Sequence, residues 1–356
     1  MDATPHLPQR TGHRRQRGLS LVELLVAIAL GAFITVGIIQ MFTANQETYQ
    51  VNIGQARMQE NARFAMEFIT TPLRMAGFSG CYSDEAGIFE AIALVAGNPP
   101  FEADFAAGAI TGNEATTATL WSPGGPTPAP LPADVPAGTI VGGTDVLVVR
   151  LADPVGTRLA QPMPQNTSQI VAREPDDAAA YATGTIMVIS DCQKGAVFQS
   201  TNSAVAGGQI TIQHNAGATG VNPGNGLQAL SADGSTYDVD ATIHALQTQI
   251  FYIAPGTGVN NRGNNPLSLW RKFGTQAPAE LVEGVEDLQV LYGVDTTNDG
   301  VPNRYTTVQN VVDLADVVTV RISITANSVD VVNDVGDGLI RRTFTNTVAL
   351  RHRIGG

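Results

Sequence analysis

Residues 24–46 carry no charged side chain, and the stretch ahead of them is basic. Arg10, Arg14, Arg15 and Arg17 crowd the approach to Gly18. The centre of the run, residues 24–39, is 16 residues long with Thr35 as its single polar member. With 19–22 and 40–42 added, it reaches the roughly 20 residues a helix needs to cross a bilayer. A segment placed in lipid must satisfy its own backbone hydrogen bonds, so a helix is the form open to it. One carboxylate, Glu23, stands where the run begins. A carboxylate at membrane depth is costly and marks a functional position. The arginines before the span predict a cytoplasmic N-terminus and an exported remainder.

The hexapeptide Gly18-Leu19-Ser20-Leu21-Val22-Glu23, set between basic leader and apolar run, resembles the type IV prepilin signal. The resemblance implies that a prepilin peptidase cuts after Gly18, that Leu19 becomes the new N-terminus and is N-methylated, and that Glu23 becomes the glutamate at position five of the mature chain. Two plainer readings compete. An ordinary secretory signal would use Ala27-Ile28-Ala29 as its A-x-A site, but Glu23 interrupts the apolar residues before it and the run continues past it. A plain membrane anchor has no use for Glu23. Gly31 and Gly37 lie inside the span. They read equally as the ordinary tolerance of glycine in membrane helices and as weak points that extend or pack closely in a filament.

Past the membrane run, Phe42, Tyr49, Ile53 and Ala56 recur at spacings of seven, four and three. This predicts one amphipathic helix over about 20–75, with Pro72 near its end and Gly77 and Gly80 closing it. At 1.5 Å per residue such a helix would run about 80 Å. Residues 86–143 read as a loop-rich insertion with a proline-rich part at 123–136. Strands are predicted at 145–151, 185–190, 208–213, 242–253, 267–272, 288–294, 316–326 and 343–353. Residues 160–182 and 216–237 read as long connections. Alternation such as Val317-Val318-Thr319-Val320-Arg321-Ile322-Ser323-Ile324 points to antiparallel sheets with one face on a core. The fold class is therefore α+β and pilin-like, a long N-terminal helix packed on an antiparallel β-rich head. The expected organisation is a leader at 1–18, a helix at 19–75 with its membrane part at about 21–42, and a head at 76–356.

The formal net charge is −12. The first 18 residues hold four arginines against one aspartate, so their removal takes the charge to about −15. That acidity disfavours direct nucleic-acid binding, which needs clustered Lys and Arg. Cys81 and Cys192 both fall in the part predicted to be exported, an oxidising compartment, and a disulfide is the simplest reading. The alternative is two unpaired buried thiols. The bridge would close a loop of 112 residues (192 − 81 + 1), for about 4–5 kcal/mol in the chain-entropy model before strain is subtracted.

Further blocks resemble the PilW family of type IV pilus assembly proteins. They are 73–81 (LRMAGFSGC), 143–147 (GTDVL), 189–192 (ISDC), Tyr252-Ile253, 268–271 (SLWR), 281–295 (LVEGVEDLQVLYGVD) and 342–353 (RTFTNTVALRHR). His352 departs from the family's usual asparagine. The resemblance implies a minor pilin that joins other minor pilins to prime pilus assembly and sits at the pilus tip. Its implied partners are other minor pilins, the major pilin, a PilY-type tip adhesin, the prepilin peptidase and the inner membrane. The implied location is the inner membrane of a Gram-negative bacterium, single-pass with a periplasmic head, and then the extracellular pilus that serves adhesion and twitching motility. The alternatives are a minor pseudopilin of a type II secretion system and a tip module that binds surfaces directly.

Catalytic chemistry is not indicated. His214, His244 and His352 show no metal-ligand spacing and read as ordinary surface or strand residues. No phosphate loop or nucleophile elbow occurs, and no cofactor is implied. The segment Asp295-Thr296-Thr297-Asn298-Asp299-Gly300 partly resembles a calcium loop, with Asp295 and Asp299 as weak ligand candidates. Thr297 and Thr306 stand where oxygen-rich ligands would be expected. A turn is the simpler reading.

Overall fold

A computed structural model describes residues 20–82, 87–93, 108–114, 135, 139–164, 167–274, 276–332 and 336–351. Gly18, Leu19 and His352 lie outside the described residues, as does most of the 86–143 insertion. The chain divides into two compact units, Met1–Asn52 and Ile53–Gly356.

Helix α1 is Leu21–Arg74. Among the described residues sixteen strands follow. They are β1 (Phe89–Glu90), β2 (Ile110–Asn113), β3 (Val146–Ala152), β4 (Thr157–Arg158), β5 (Gln169–Arg173), β6 (Ile186–Asp191), β7 (Lys194–Gln199) and β8 (Asn202–Ala206). After these come β9 (Gln209–Gln213), β10 (Thr242–Pro255), β11 (Leu267–Phe273), β12 (Ala279–Glu283), β13 (Val285–Val294), β14 (Arg304–Thr306), β15 (Val317–Asn327) and β16 (Arg341–Ala349). The fold is α+β and pilin-like, as its sequence predicts.

Among the described residues three sheets make the head. The largest runs β1-β7-β6-β10-β11-β12, with β2, β3 and β4 joined beside it. A four-stranded sheet is ordered β14-β13-β15-β16, and a three-stranded sheet β5-β9-β8. All pairings are antiparallel except β1 with β7. β10 holds the large sheet together. Its residues 242–245 pair with β6, 246–251 with β3 and 249–255 with β11.

The second half of α1 belongs to the head's core. Met58, Ala62, Ala65, Ile69 and Leu73 recur at helical spacing and are all buried. They pack with Leu147, Val149, Phe251 and Ile253 of the large sheet and with Leu288, Val290, Ile322 and Ile324 of the four-stranded sheet. A second core lies between the other end of the large sheet (Met187, Ile189, Phe198) and the three-stranded sheet (Ile170, Ile210, Ile212).

Several segments differ from their sequence reading. The 86–143 insertion contains β1 and β2, and β2 is buried on both faces against β3. Its Ile-Thr-Gly-Asn sequence has little strand propensity of its own, so tertiary pairing decides. Residues 160–182 hold β5 and a 3-10 turn, Ala178–Tyr181. β7 and β12 are additional strands that their glycine or charged residues conceal, and β8 is one whose Asn-Ser-Ala sequence has little strand propensity. Residues 216–237 do form a long connection. The Asn225 side chain accepts from the Gln199 amide (2.7 Å) and donates to the Gln199 carbonyl (2.7 Å), clasping the connection to β7.

His214 and His244 are buried and not at the surface. His244 donates from Nδ1 to the Asp153 carbonyl (2.8 Å), and its Nε2 accepts from the Thr242 hydroxyl (3.1 Å). His214 sits edge-on to Phe198, and among the described residues neither ring nitrogen has a hydrogen-bond partner. Burial lowers the pKa of His244 and brings that of His214 down to about 4. A lowered folded value means the unfolded chain binds the proton more readily. The stability that neutral His214 supports is complete above its unfolded pKa of about 6.5 and is lost as pH falls towards 4, up to about 3 kcal/mol. His214→Leu should therefore show a smaller drop in Tm between pH 7 and 4.5 than the parent chain. Equal drops in thermal melts would remove His214 from the acid response.

Candidate functional site

The N-terminal unit begins with a reciprocal pair. The backbone amide of Glu23 donates to Ser20 Oγ (3.2 Å), and the Ser20 amide donates to Glu23 Oε2 (3.3 Å). This is a capping box, in which a serine and a glutamate three residues on satisfy two of the free amides at a helix start. The S-x-x-E spacing was available in the sequence as the signal for it. Glu23 thus has a local partner besides any role between chains.

Beyond Glu23 the unit presents apolar side chains outward. Phe33 is 84% exposed, and Leu21, Ile28, Leu30, Ile34, Ile38 and Met41 are likewise exposed. α1 contains an 18-residue window of mean hydropathy 2.5 and is long and apolar enough to cross a membrane. Three of its threonine hydroxyls bond the helix's own backbone. Thr35 donates to the Gly31 carbonyl (2.8 Å), Thr43 to Ile39 (3.2 Å) and Thr48 to Ala44 (2.8 Å). A hydroxyl folded back onto the preceding turn exposes no unmet donor to lipid. A Cβ at Gly31 or Gly37 would meet nothing within 4 Å, so neither glycine serves a close contact within this chain.

In the head unit, the end of α1 is tied down by a compact turn. Pro72 falls in the last turn of the helix, and the Met75 amide bonds the Pro72 carbonyl (3.0 Å). Gly77 and Gly80 both adopt positive φ, which glycine reaches without strain. The Gly77 amide donates to the Arg150 carbonyl (2.9 Å) and the Ala152 amide to the Phe78 carbonyl (2.6 Å), laying the segment along β3. Ser190 Oγ donates to the Ser79 carbonyl (2.7 Å). A Cβ at Gly80 would collide with Ser190 Oγ, so only glycine lets the chain pass here.

Cys81 follows directly and is disulfide-bonded to Cys192, with a Cα separation of 4.8 Å. Cys192 sits on the tight turn between β6 and β7. That turn is made by Asp191, whose carboxylate accepts from the amides of Gln193 (2.9 Å) and Lys194 (2.9 Å). Both cysteines are exposed at the head surface. The bridge fastens the segment after α1 to the centre of the large sheet, and its chemistry is structural.

The Asp295–Gly300 segment is the loop between β13 and β14. The Asp295 carboxylate accepts from the backbone amides of Thr297 (3.0 Å), Asn298 (2.8 Å) and Gly300 (2.7 Å). These bonds hold its pKa low against the opposing effect of burial. Asp299 accepts from the Val301 amide (2.9 Å), and Asn298 and Gly300 have positive φ. Both carboxylates are turn-makers in this conformation. Among the described residues no group of three or more His, Cys, Asp or Glu is placed to hold a metal ion.

One charged residue of the head escapes sequence reading altogether. Arg150, inside the apolar strand β3, is fully buried and donates to the Gly108 carbonyl (3.1 Å) and to Thr111 Oγ1 (3.3 Å). It pins β2 and Gly108, two residues before it, onto β3.

Comparison with known families gives two matches. Residues 250–352, from β10 through the β16 tail, match PilW, the Type IV Pilus-assembly protein W family. Residues 13–39 match the prokaryotic N-terminal methylation motif. No curated protein matches the chain.

Reduction should loosen the head. Cys81→Ser is expected to lower its stability by about 2–5 kcal/mol and to expose the residues after α1 to protease. Equal protease resistance with and without reductant would show that the bridge contributes little.

Proposed function

We propose that this chain is a PilW-family pilin of the type IV pilus, that it primes pilus assembly and that it is carried in the pilus, at the tip, with other minor pilins and a PilY-type adhesin; the PilW region and the methylation motif support the reading. One observation carries the reading. A PilW region lies on the same chain as a membrane-length helix that starts at a carboxylate in a prepilin-like leader.

The steps follow from the chemistry of that start. The peptidase cuts between Gly18 and Leu19, and Leu19 is N-methylated. Cleavage creates an ammonium four residues before Glu23. The membrane, the inner membrane of a Gram-negative cell, stores the subunit through the apolar half of α1, with the head in the periplasm. Assembly with the major pilin moves that half from lipid into a bundle of like helices. There the Glu23 carboxylate is matched to a neighbour's N-terminal ammonium, since an ion leaving water needs a partner. The head then supplies the surfaces that meet other subunits. The role is structural, and no catalytic step belongs to it.

The test uses full-length chain in piliated cells. Glu23→Ala should leave the leader cleaved, with a mass-spectrometric peptide beginning at N-methylated Leu19. Recovery of the variant in sheared pili should fall at least several-fold. Ser20→Ala breaks the capping box but keeps the carboxylate, and it should be recovered close to the parent level. Full recovery of Glu23→Ala would overturn the pairing role. An intact leader on the parent chain would overturn the processing step, and processed chain confined to membranes would favour a pseudopilin or a transient initiator.

A further inference from the structure

Among the described residues the head carries an open apolar groove whose walls are of two kinds. Asn61, Phe64 and Phe68 of α1 form one wall, and Leu281, Val282 and Glu283 of β12 form the other, enclosing about 360 Å³. Phe64 is 43% and Phe68 39% exposed, although they flank the buried residues Ala62, Ala65 and Ile69. β12 ends the large sheet, with β11 on one side and no strand on the other among the described residues. On that open side the Glu283 carbonyl is reached only by a side chain, Asn61 Nδ2 at 3.0 Å. A register shift in the β11–β12 pairing matches Leu269 to Val282 and Trp270 to Glu280, leaving Leu281 without an opposite residue. A bulge of this kind re-aims a side chain, and here Leu281 and Val282 both line the groove. An unpaired strand edge beside an aromatic floor is the arrangement by which an extended segment is bound, backbone to the edge and alternate side chains to the floor.

The charges say what kind of segment fits. Glu60 lies one helical turn before Phe64, Glu67 one residue before Phe68, and Glu283 lines the opposite wall. Among the described residues none of the three is in an ion pair. Of the cations nearby on the helix, Arg63 is turned onto the Phe64 ring at 5.3 Å and Arg57 is paired with Asp330 at 3.1 Å. The groove is therefore apolar inside and negative at its rim.

We propose that this groove binds an extended apolar segment of another pilus subunit, one that carries Lys or Arg at its ends, added as a further strand to β12. The segment's apolar side chains cover Phe64, Phe68 and Leu281, and its basic ends meet Glu60, Glu67 and Glu283. The proposal rests on the pilus reading above for where the partner is found, and on the groove for what the partner is.

The experiment places p-benzoylphenylalanine at Phe64 in the full chain, irradiates piliated cells, and identifies the crosslinked peptide in sheared pili by mass spectrometry. The expected product joins residue 64 to an extended apolar stretch of a different subunit with Lys or Arg at its ends. Glu60→Lys with Glu283→Lys should cut its yield more than ten-fold while the chain is still recovered in pili. A crosslink to lipid, to a second copy of this chain or to an acidic segment would overturn the proposal. So would no crosslink from chain that is present in pili, or a yield that the two substitutions leave unchanged. Chain absent from sheared pili counts against the pilus reading instead, and the groove is then judged by the same crosslink in membranes.

Discussion

The head depends on one stripe of α1. Met58, Ala62, Ala65, Ile69 and Leu73 fill the space where the large sheet and the four-stranded sheet face each other. Two alanines at the centre keep the helix axis close to both sheets, while Ile69 and Leu73 at the end supply the bulk. Each buried aliphatic side chain there is worth about 1.5–3 kcal/mol of transfer free energy. Without the helix, residues such as Leu147, Phe251, Val290 and Ile322 would face an open crevice. The sheets are therefore not a self-sufficient body on which a helix happens to rest. Everything that fastens the end of α1, from Gly77 and Gly80 to the Cys81–Cys192 bridge, protects this one packing contact.

Much of this was legible from residue pattern alone. The predicted helix over 20–75 compares with Leu21–Arg74, because an uncharged run, a helical apolar period and closing glycines all agree. The long strands were legible for the same reason. Val317–Asn327 alternates cleanly, and Val146–Ala152 is apolar nearly throughout. The strands that escaped are those whose residues favour something else. Ala279–Glu283 is two glutamates among three apolar residues, Lys194–Gln199 opens on Lys-Gly, and Ile110–Asn113 lies in an Ala- and Gly-rich stretch. Ile110–Asn113 is decided by a partner distant in sequence, β3, whereas Lys194–Gln199 and Ala279–Glu283 pair with the strands just before them and are hidden by their own residues.

The side chains divide in the same way. The prepilin-like start is local, and so is the capping box that Ser20 and Glu23 make inside it. The burial of His214, His244 and Arg150 is not local, because a strand histidine or arginine points inward or outward according to what the other sheet brings. The groove beside β12 belongs to this second kind. Phe64 and Phe68 flank the buried helical stripe, and what covers them depends on the strand edge that the head brings beside them.

The capping box sets how the start of α1 holds its charge before any partner arrives. Glu23 does not wait as a bare charge to be captured, because its carboxylate already holds the Ser20 amide. Glu23 Oε1 takes no part in that bond, so a cation could meet the carboxylate without displacing the amide. What the box supplies is a carboxylate held at a fixed angle at the mouth of the helix, which does not have to be ordered first when a partner arrives.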